Sequence, residues 1–306
     1  MARKLRFVSE EKTMVEVTDR TIHGRYLLLP TPELKTIILG ALGRAQRLHG
    51  VRIFGFACLS NHFHLLAEVD DAEQLSCFMG CFLSKLAREA GRLYNWKEKV
   101  FPRRYQAIPV TREDRAQIDR LKYLLAHSVK EGLVERLEEW PGAHCVNSLL
   151  TGEPLEGIWP ERKQETRARN RGQKVEPGQF ETRETVTFDP LPCWRHLPPE
   201  EQRRRVACLV EEIEAEATAE RKRTGKRVLG VAAILAQDPH DHPECPKKSP
   251  APFVHAATKA ARLVFRESYA LFVAAYREAA AKLRKGDRTA VFPLGCFPPA
   301  LPFVGG

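Results

Sequence analysis

Two histidines one residue apart, His62 and His64 in the stretch CLSNHFHLLAEV (58–69), are of a type and spacing that could hold a metal ion. Side chains alternate across a strand, so both imidazoles belong to one face, with Leu66, while Phe63, Leu65 and Ala67 point to the other. Two imidazoles are not a site by themselves, and a half-exposed strand with two polar positions is the ordinary alternative. A second pair, Tyr123 and His127 in KYLLAHSVKEG (122–132), stands one helical turn apart. At 100° per residue, Ile118, Leu121 and Leu125 gather on one side of that helix, and Tyr123 and His127 project together from nearly the opposite side. They are candidates for a reactive group and a third ligand. An amphipathic surface position, or a tyrosine packed on the next element, is the bland alternative.

The elements that must position these residues are legible in outline. TMVEVTDRTIHGRYLLL reads as a strand interrupted near His23 and Gly24, and PTPELKTIILGALGRAQRLHG as a helix opened by proline and closed at Gly50. VRIFGFACL and HFHLLAEV, separated by Ser60 and Asn61, are expected as adjacent antiparallel strands. A long helix follows over AEQLSCFMGCFLSKLAREAGRLYNW, then a short strand in RRYQAIPV, then the tyrosine helix, with Thr111 as its N-cap and Gly132 near its end. Strands and helices so interleaved predict an α+β domain, its antiparallel sheet covered on one face by helices.

From about Leu155 the composition turns polar and charged, with PERKQETRARNRGQKVEPGQFETRET read as a linker or long exposed loop. Its arginines suit a solvated segment and contact with a DNA backbone equally. Long helical patterns resume at PPEEQRRRVACLVEEIEAEATAERKRTGK and PFVHAATKAARLVFRESYALFVAAYREAAAKLRKGD, with VLGVAAILAQ between them. The expected organisation is 1–154 as the domain carrying the histidines, 155–197 as a basic polar linker, and 198–306 as a mainly α-helical region. A helix-turn-helix is not expected there, because the short turn into a recognition helix is missing.

The chain has 306 residues, a formal charge of +10 and a pI near 9.3. That balance favours a polyanionic partner, nucleic acid or an acidic membrane surface, and charge alone does not choose between them. No stretch has the apolar length of a membrane span, so no membrane insertion is expected, and the chain is read as cytoplasmic. The eight cysteines lack the spacing of a disulfide framework. Cys77 and Cys81, four apart, have no CxxC pair to complete a zinc site.

Taken in order, LSNHFHLLAEV, FPRRYQAIPV and YLLAHSVKEGLVERLEEWPGAH resemble the single-tyrosine HUH transposases, and within them the REP-associated tyrosine transposases, over about residues 14–150. The resemblance implies a ferredoxin-like HUH domain that nicks single-stranded DNA, near a hairpin, and transfers the strand. It makes Tyr123 the nucleophile of a 5′-phosphotyrosine intermediate and His62 and His64 ligands of a divalent cation. Arg103 and Arg104, just before Tyr105 in the family's basic segment, suit phosphate contact and base stacking, with a solvent-facing strand end as the equal alternative. The protein is expected to be nucleoid-associated. No nucleotide cofactor is implied, and no GxxxxGKS loop is present. Relatives carry an amide four residues after the tyrosine where this chain has His127, so His127 is placed as third ligand. Resemblance favours Mg or Mn, whereas an all-imidazole set suits Mn, Zn and other transition metals. A non-catalytic DNA-binding protein, with a structural metal or none, is the alternative. His240, His242 and Cys245 form a second cluster, in a proline-rich stretch read as a loop. Asn61 is read as shaping the turn before His62. Oligomeric state is left open.

Overall fold

Ser60 and Asn61 fold strand β2 (Arg52–Leu59) back on β3 (His62–Val69), and this hairpin forms one side of a four-stranded antiparallel sheet. The computed structural model describes residues 12–244, 252–294 and 296–299. In chain order come β1 (Thr13–Arg20), α1 (Pro32–His49), the β2–β3 hairpin, α2 (Ala72–Leu93) and β4 (Gln106–Val110). The strand order β2-β3-β1-β4 is the ferredoxin-like arrangement expected from the sequence. Helix α1 starts where the Thr31 hydroxyl accepts the Leu34 N–H, with Pro32 at its first position, and stops at Gly50 in the left-handed region, φ 61°. Asp71 caps α2 in the same way, accepting from Gln74 N.

Both faces of the sheet are covered, not one. Phe63, Leu65, Ala67 and Val69 of β3 pack with Ile38 and Leu42 of α1 and Phe78 and Phe82 of α2. On the other face, Leu66 and Phe54 pack with Leu121, Leu124 and Leu125 of α3 (Asp114–Leu125). The physical reason lies in β2, whose run IFGFACL is apolar on both faces and so demands cover on both. At Gly55 a side chain would meet Leu121 and Leu124 at 3.2 and 3.4 Å, so glycine lets the helix settle onto the strand.

Helix α3 opens at Asp114 with Glu113 at its N-cap position, two residues later than the expected cap at Thr111. The Thr111 hydroxyl donates to the Glu113 carboxylate at 2.9 Å instead of capping a helix. A turn at Ala126 separates α3 from one further helical turn, α4 (His127–Lys130).

The stretch read as a basic polar linker carries structure. After the short α5 (Val146–Thr151), β5 (Leu155–Pro160) and β6 (Glu181–Val186) pair antiparallel, flank α6 (Arg162–Asn170), and lie on α1. A side chain at Gly157 would fall 2.0 Å from Gly40 N, and one at Gly43 would fall 2.6 Å from Thr185 O. Backbone thus meets backbone through a notch of glycines. Glu184, buried in β6, accepts from Arg44 and Arg47 of α1 at 2.9 and 2.8 Å. Charge hid this hairpin in the sequence, because its contact with α1 includes the ion pairs of Glu184 with Arg44 and Arg47 beside the apolar burial of Val186.

Farther on stand α7 (Pro199–Thr224), which packs on α3, α4 and α5, then α8 (Val231–Leu235) and α9 (Lys259–Arg284). Among the described residues no helix is long and apolar enough to cross a membrane.

The glycine notch yields a test. Gly157→Ala inserts a methyl group between two backbones that cannot part without lifting the hairpin, so a loss of about 1–3 kcal/mol or more is expected in urea unfolding. Gly80→Ala, in α2 with nothing within 4 Å and an ordinary helical φ, should be neutral or stabilising by up to about 1 kcal/mol. Equal effects at the two positions would refute the close-approach argument.

Candidate metal centre

Strand alternation puts His62 and His64 on the face that α3 covers, and α3 with α4 lays Tyr123 and His127 over that same face. The ring centroids are 5.3 Å apart for His62–His64, 5.3 Å for His62–His127 and 4.1 Å for His64–His127. One ring nitrogen from each histidine lies within 4.8 Å of the other two, and no other such group of three histidine, cysteine or acidic residues occurs among the described residues. His64 and His127 are buried and His62 partly so. The pattern that left His127 off the apolar stripe of its own helix is thereby explained: the sheet supplies the missing neighbour.

Each imidazole has its Nδ1 committed to an oxygen. His62 Nδ1 donates to Asn61 Oδ1 at 2.7 Å, His64 Nδ1 to Glu16 Oε1 at 2.9 Å, and His127 Nδ1 to the Tyr123 carbonyl at 3.2 Å. Asn61 is itself oriented, since its Nδ2 donates to the Gly24 carbonyl at 3.0 Å. With Nδ1 carrying the proton, Nε2 of each ring keeps a free lone pair, the arrangement that oxygen acceptors behind the ring impose on metal-binding histidines. Burial, reinforced by the neighbouring imidazoles His64 and His127, holds His62 well below the ordinary histidine value. Burial likewise pushes His127 down to about 3, with His64 adding to the effect. Both rings are therefore neutral near pH 7, as ligands must be. Three imidazole nitrogens with fixed tautomers fit a divalent transition metal.

Glu16 is the hub behind the histidines. It lies on β1 and is 3% exposed, and its second oxygen, Oε2, accepts from His255 Nε2 at 2.6 Å and from Arg120 Nη1 at 3.3 Å. Burial alone would raise this carboxyl, but hydrogen bonds from His255 and His64 and the charge of Arg120 outweigh it and hold the group far below the usual carboxylate range. Tyr123, partly exposed, sets its ring 4.8 Å from His127 and 5.7 Å from His64. The Arg120 guanidinium lies 4.0 Å from the tyrosine ring centroid and Lys130 Nζ 4.9 Å from it, both within cation–π range.

Four of the seven expected site residues thus come together: Tyr123, His62, His64 and His127. Arg103, Arg104 and Tyr105 do not join them. The two arginines are exposed on the segment between α2 and β4, and Tyr105 is half-buried with its hydroxyl donating to the Leu75 carbonyl at 3.4 Å. In the second histidine cluster, His240 Nε2 contacts the Tyr94 carbonyl at 2.7 Å and His242 Nδ1 the Pro243 carbonyl, while Cys245 lies outside the described residues. Cys77 is exposed and Cys81 half-buried, and neither joins a metal group among the described residues.

Sequence reasoning missed Glu16, Arg120 and His255. A signal existed for two of them: Glu16 is an acid in the otherwise apolar run MVEV, and Arg120 stands three residues before Tyr123 on the same helical face. His255 left none.

A scan against protein-family models and a comparison with curated proteins gave no match. Among solved structures, the chain is similar to a REP-associated tyrosine transposase bound to a REP hairpin, with 16% identity over 49% of this chain and 85% of that one, TM-score 0.41. It is also similar to a provisionally assigned transposase from Deinococcus radiodurans R1, again 16% identical, over 39% of this chain and 94% of that one, TM-score 0.27. At that level of likeness, what the histidines and Tyr123 do has to be read from their own surroundings.

The other face of β1 carries a second buried acid with the opposite fate. Asp19 is 8% exposed; its Oδ1 accepts from Arg20 N at 2.9 Å and its Oδ2 has no hydrogen-bond partner. Burial raises it to about 7, against the partial relief of that backbone N–H. Between the unfolded value near 3.9 and about 7 the folded state holds the extra proton, so Asp19 supports folding at low pH, and that support is lost as pH rises through 7. Asp19→Asn should then match wild type in urea unfolding at pH 4 and exceed it at pH 8 by on the order of 2–4 kcal/mol. A stability difference that does not change between the two pH values would refute the assignment.

Proposed function

We propose that this chain is a metal-dependent enzyme that nicks single-stranded DNA and transfers the strand through a 5′-phosphotyrosine on Tyr123, with His62, His64 and His127 holding a divalent cation. One observation carries the reading: a tyrosine side chain stands beside three imidazoles, two of them held neutral by burial, whose unprotonated nitrogens are left free by their hydrogen bonds. A free phenol has a pKa near 10 and is a weak nucleophile at neutral pH, so it needs help. A bound divalent cation would polarise the phosphate and stabilise the leaving oxygen.

In the proposed reaction the phenolic oxygen of Tyr123 forms a bond to phosphorus and the bond from phosphorus to the 3′ oxygen breaks. The phenolic proton is released to water, and the departing 3′ oxygen gains one to become a hydroxyl. The phosphodiester's reactivity is kept in the tyrosyl ester, so attack by another 3′-hydroxyl rejoins a strand and frees Tyr123. No nucleotide cofactor is required.

Three protein donors leave a coordination position open, as in catalytic zinc sites, whereas structural sites close with four. That supports the enzyme over a purely structural metal. An all-nitrogen donor set favours Mn or Zn over Mg, which prefers oxygen. The net charge of +10 suits a nucleic-acid partner. Arg103 and Arg104 are proposed as phosphate contacts, with Tyr105 anchoring their segment rather than stacking on a base. By resemblance, the substrate is a single strand bearing a hairpin.

The deciding experiment mixes purified protein with labelled hairpin oligonucleotides and Mn, and looks for a complex that survives denaturation. Tyr123→Phe keeps the ring on which Arg120 and Lys130 stack and removes only the hydroxyl. It should abolish the adduct, by at least 100-fold, while DNA affinity stays within about threefold. EDTA and His64→Ala should also abolish it. Absence of any adduct from wild type across metals and hairpins, with DNA binding intact, would overturn the enzyme in favour of a regulatory DNA-binding protein.

A further inference from the structure

The region after α8 contributes a side chain to the centre of the site. His255 is anchored by its backbone on both sides: its N–H donates to the Pro109 carbonyl and its carbonyl accepts from Thr111 N, each at 2.9 Å, pairing it in parallel with Val110 of β4. Two residues on, the Glu113 carboxylate accepts from Ala257 N at 2.9 Å and from the Thr258 hydroxyl at 2.7 Å, and Thr258 in turn caps α9. The start of α9 is thus tied to the start of α3, and the imidazole of His255 is delivered to the sheet from a fixed backbone.

That imidazole has two partners, and each leads to a different part of the site. Its Nε2 donates to Glu16 Oε2 at 2.6 Å, while Oε1 of the same carboxylate receives His64 Nδ1. Arg120 Nη1 lies 3.2 Å from His255 Nδ1 and 3.3 Å from His255 Nε2; with Nε2 donating to Glu16, Nδ1 is the nitrogen that can accept from the guanidinium, which also covers the ring of Tyr123. A carboxylate held at both oxygens cannot rotate, so the ring it orients cannot either. A guanidinium left alone with a buried carboxylate prefers to lie bidentate against it. By occupying one oxygen of Glu16 and accepting from Arg120, His255 keeps the arginine shared between Glu16 and Tyr123.

We infer that His255 is a positioning residue of this site, acting through Glu16 on His64 and through Arg120 on Tyr123, so that the C-terminal region completes the centre built by the sheet and α3. The inference rests on the proposed roles of the histidines and Tyr123.

The test uses the full chain, cobalt(II) as a spectroscopic probe of the histidines, and adduct formation on a hairpin oligonucleotide. His255→Leu keeps bulk without donor or acceptor, and should weaken cobalt(II) binding and slow adduct formation by roughly 10- to 100-fold. His255→Gln keeps one donor and one acceptor, and should restore both to within about threefold of wild type. In a Glu16→Gln background, where the link to His64 is already altered, His255→Leu should cost cobalt(II) affinity much less than in wild type, since residues in one network are not additive. If His255→Leu does not fold, His255→Asn, too short to reach both partners, takes its place with the same expectations. Cobalt(II) affinity and adduct rate unchanged in His255→Leu, or a loss that persists undiminished in the Glu16→Gln background, would overturn the inference. A wild type that takes up no cobalt(II) and forms no adduct would instead remove the proposed function, and this inference with it.

Discussion

A carboxylate with 3% exposure, set in a strand between two apolar layers, is the constraint on which the site depends. Burying an unpaired charge would cost far more than a domain of this size has to spare, so Glu16 requires partners on both oxygens. Those partners come from three separate parts of the chain: His64 of β3, Arg120 of α3 and His255 ahead of α9. Satisfying one buried charge therefore brings together the sheet, the helix that carries Tyr123 and the C-terminal region. The hydrogen bond to His64 then fixes which nitrogen of that ring keeps its lone pair free. Asp19, on the opposite face of the same strand, shows the contrast: with one oxygen unpartnered it is pushed toward the neutral acid, whereas Glu16 is held as the anion.

The surrounding architecture serves that convergence. Because β2 is apolar on both faces, α3 is drawn onto the sheet on the side away from α1 and α2, and the one-turn spacing of Tyr123 and His127 carries both to the histidine strand. Leu121, Leu124 and Leu125 secure the helix by packing, which leaves its polar residues to face the imidazoles. On the far side, α1 is held by a hairpin at backbone contact, through Gly40, Gly43 and Gly157. Lys85, buried in α2, donates to the Pro160 carbonyl and pairs with Glu89, which also receives Arg162, so the same hairpin is tied to α2. The hairpin and α6 together stiffen the layer beneath the sheet without entering the site.

The sequence by itself determined the local elements and the candidate chemistry. Strand alternation fixed His62 and His64 on one face, and helical periodicity fixed Tyr123 and His127 on another; proline and glycine set the ends of α1. The reading of the two pairs and of the ends of α1, at Pro32 and Gly50, follows from residue type and short spacing, which the backbone geometry converts directly into direction. Only the tertiary structure decided that the two pairs meet, that β2 needs cover on both faces, and that a polar, arginine-rich stretch is a hairpin docked on α1. Those outcomes depend on contacts between residues far apart in the chain, and on charges such as Glu184 and Glu16 being paired across that distance. His255, 239 residues beyond Glu16 in the numbering, is the clearest case. Nothing in the residues around it marks it as part of the site, because its role is set by what it touches and not by what precedes it.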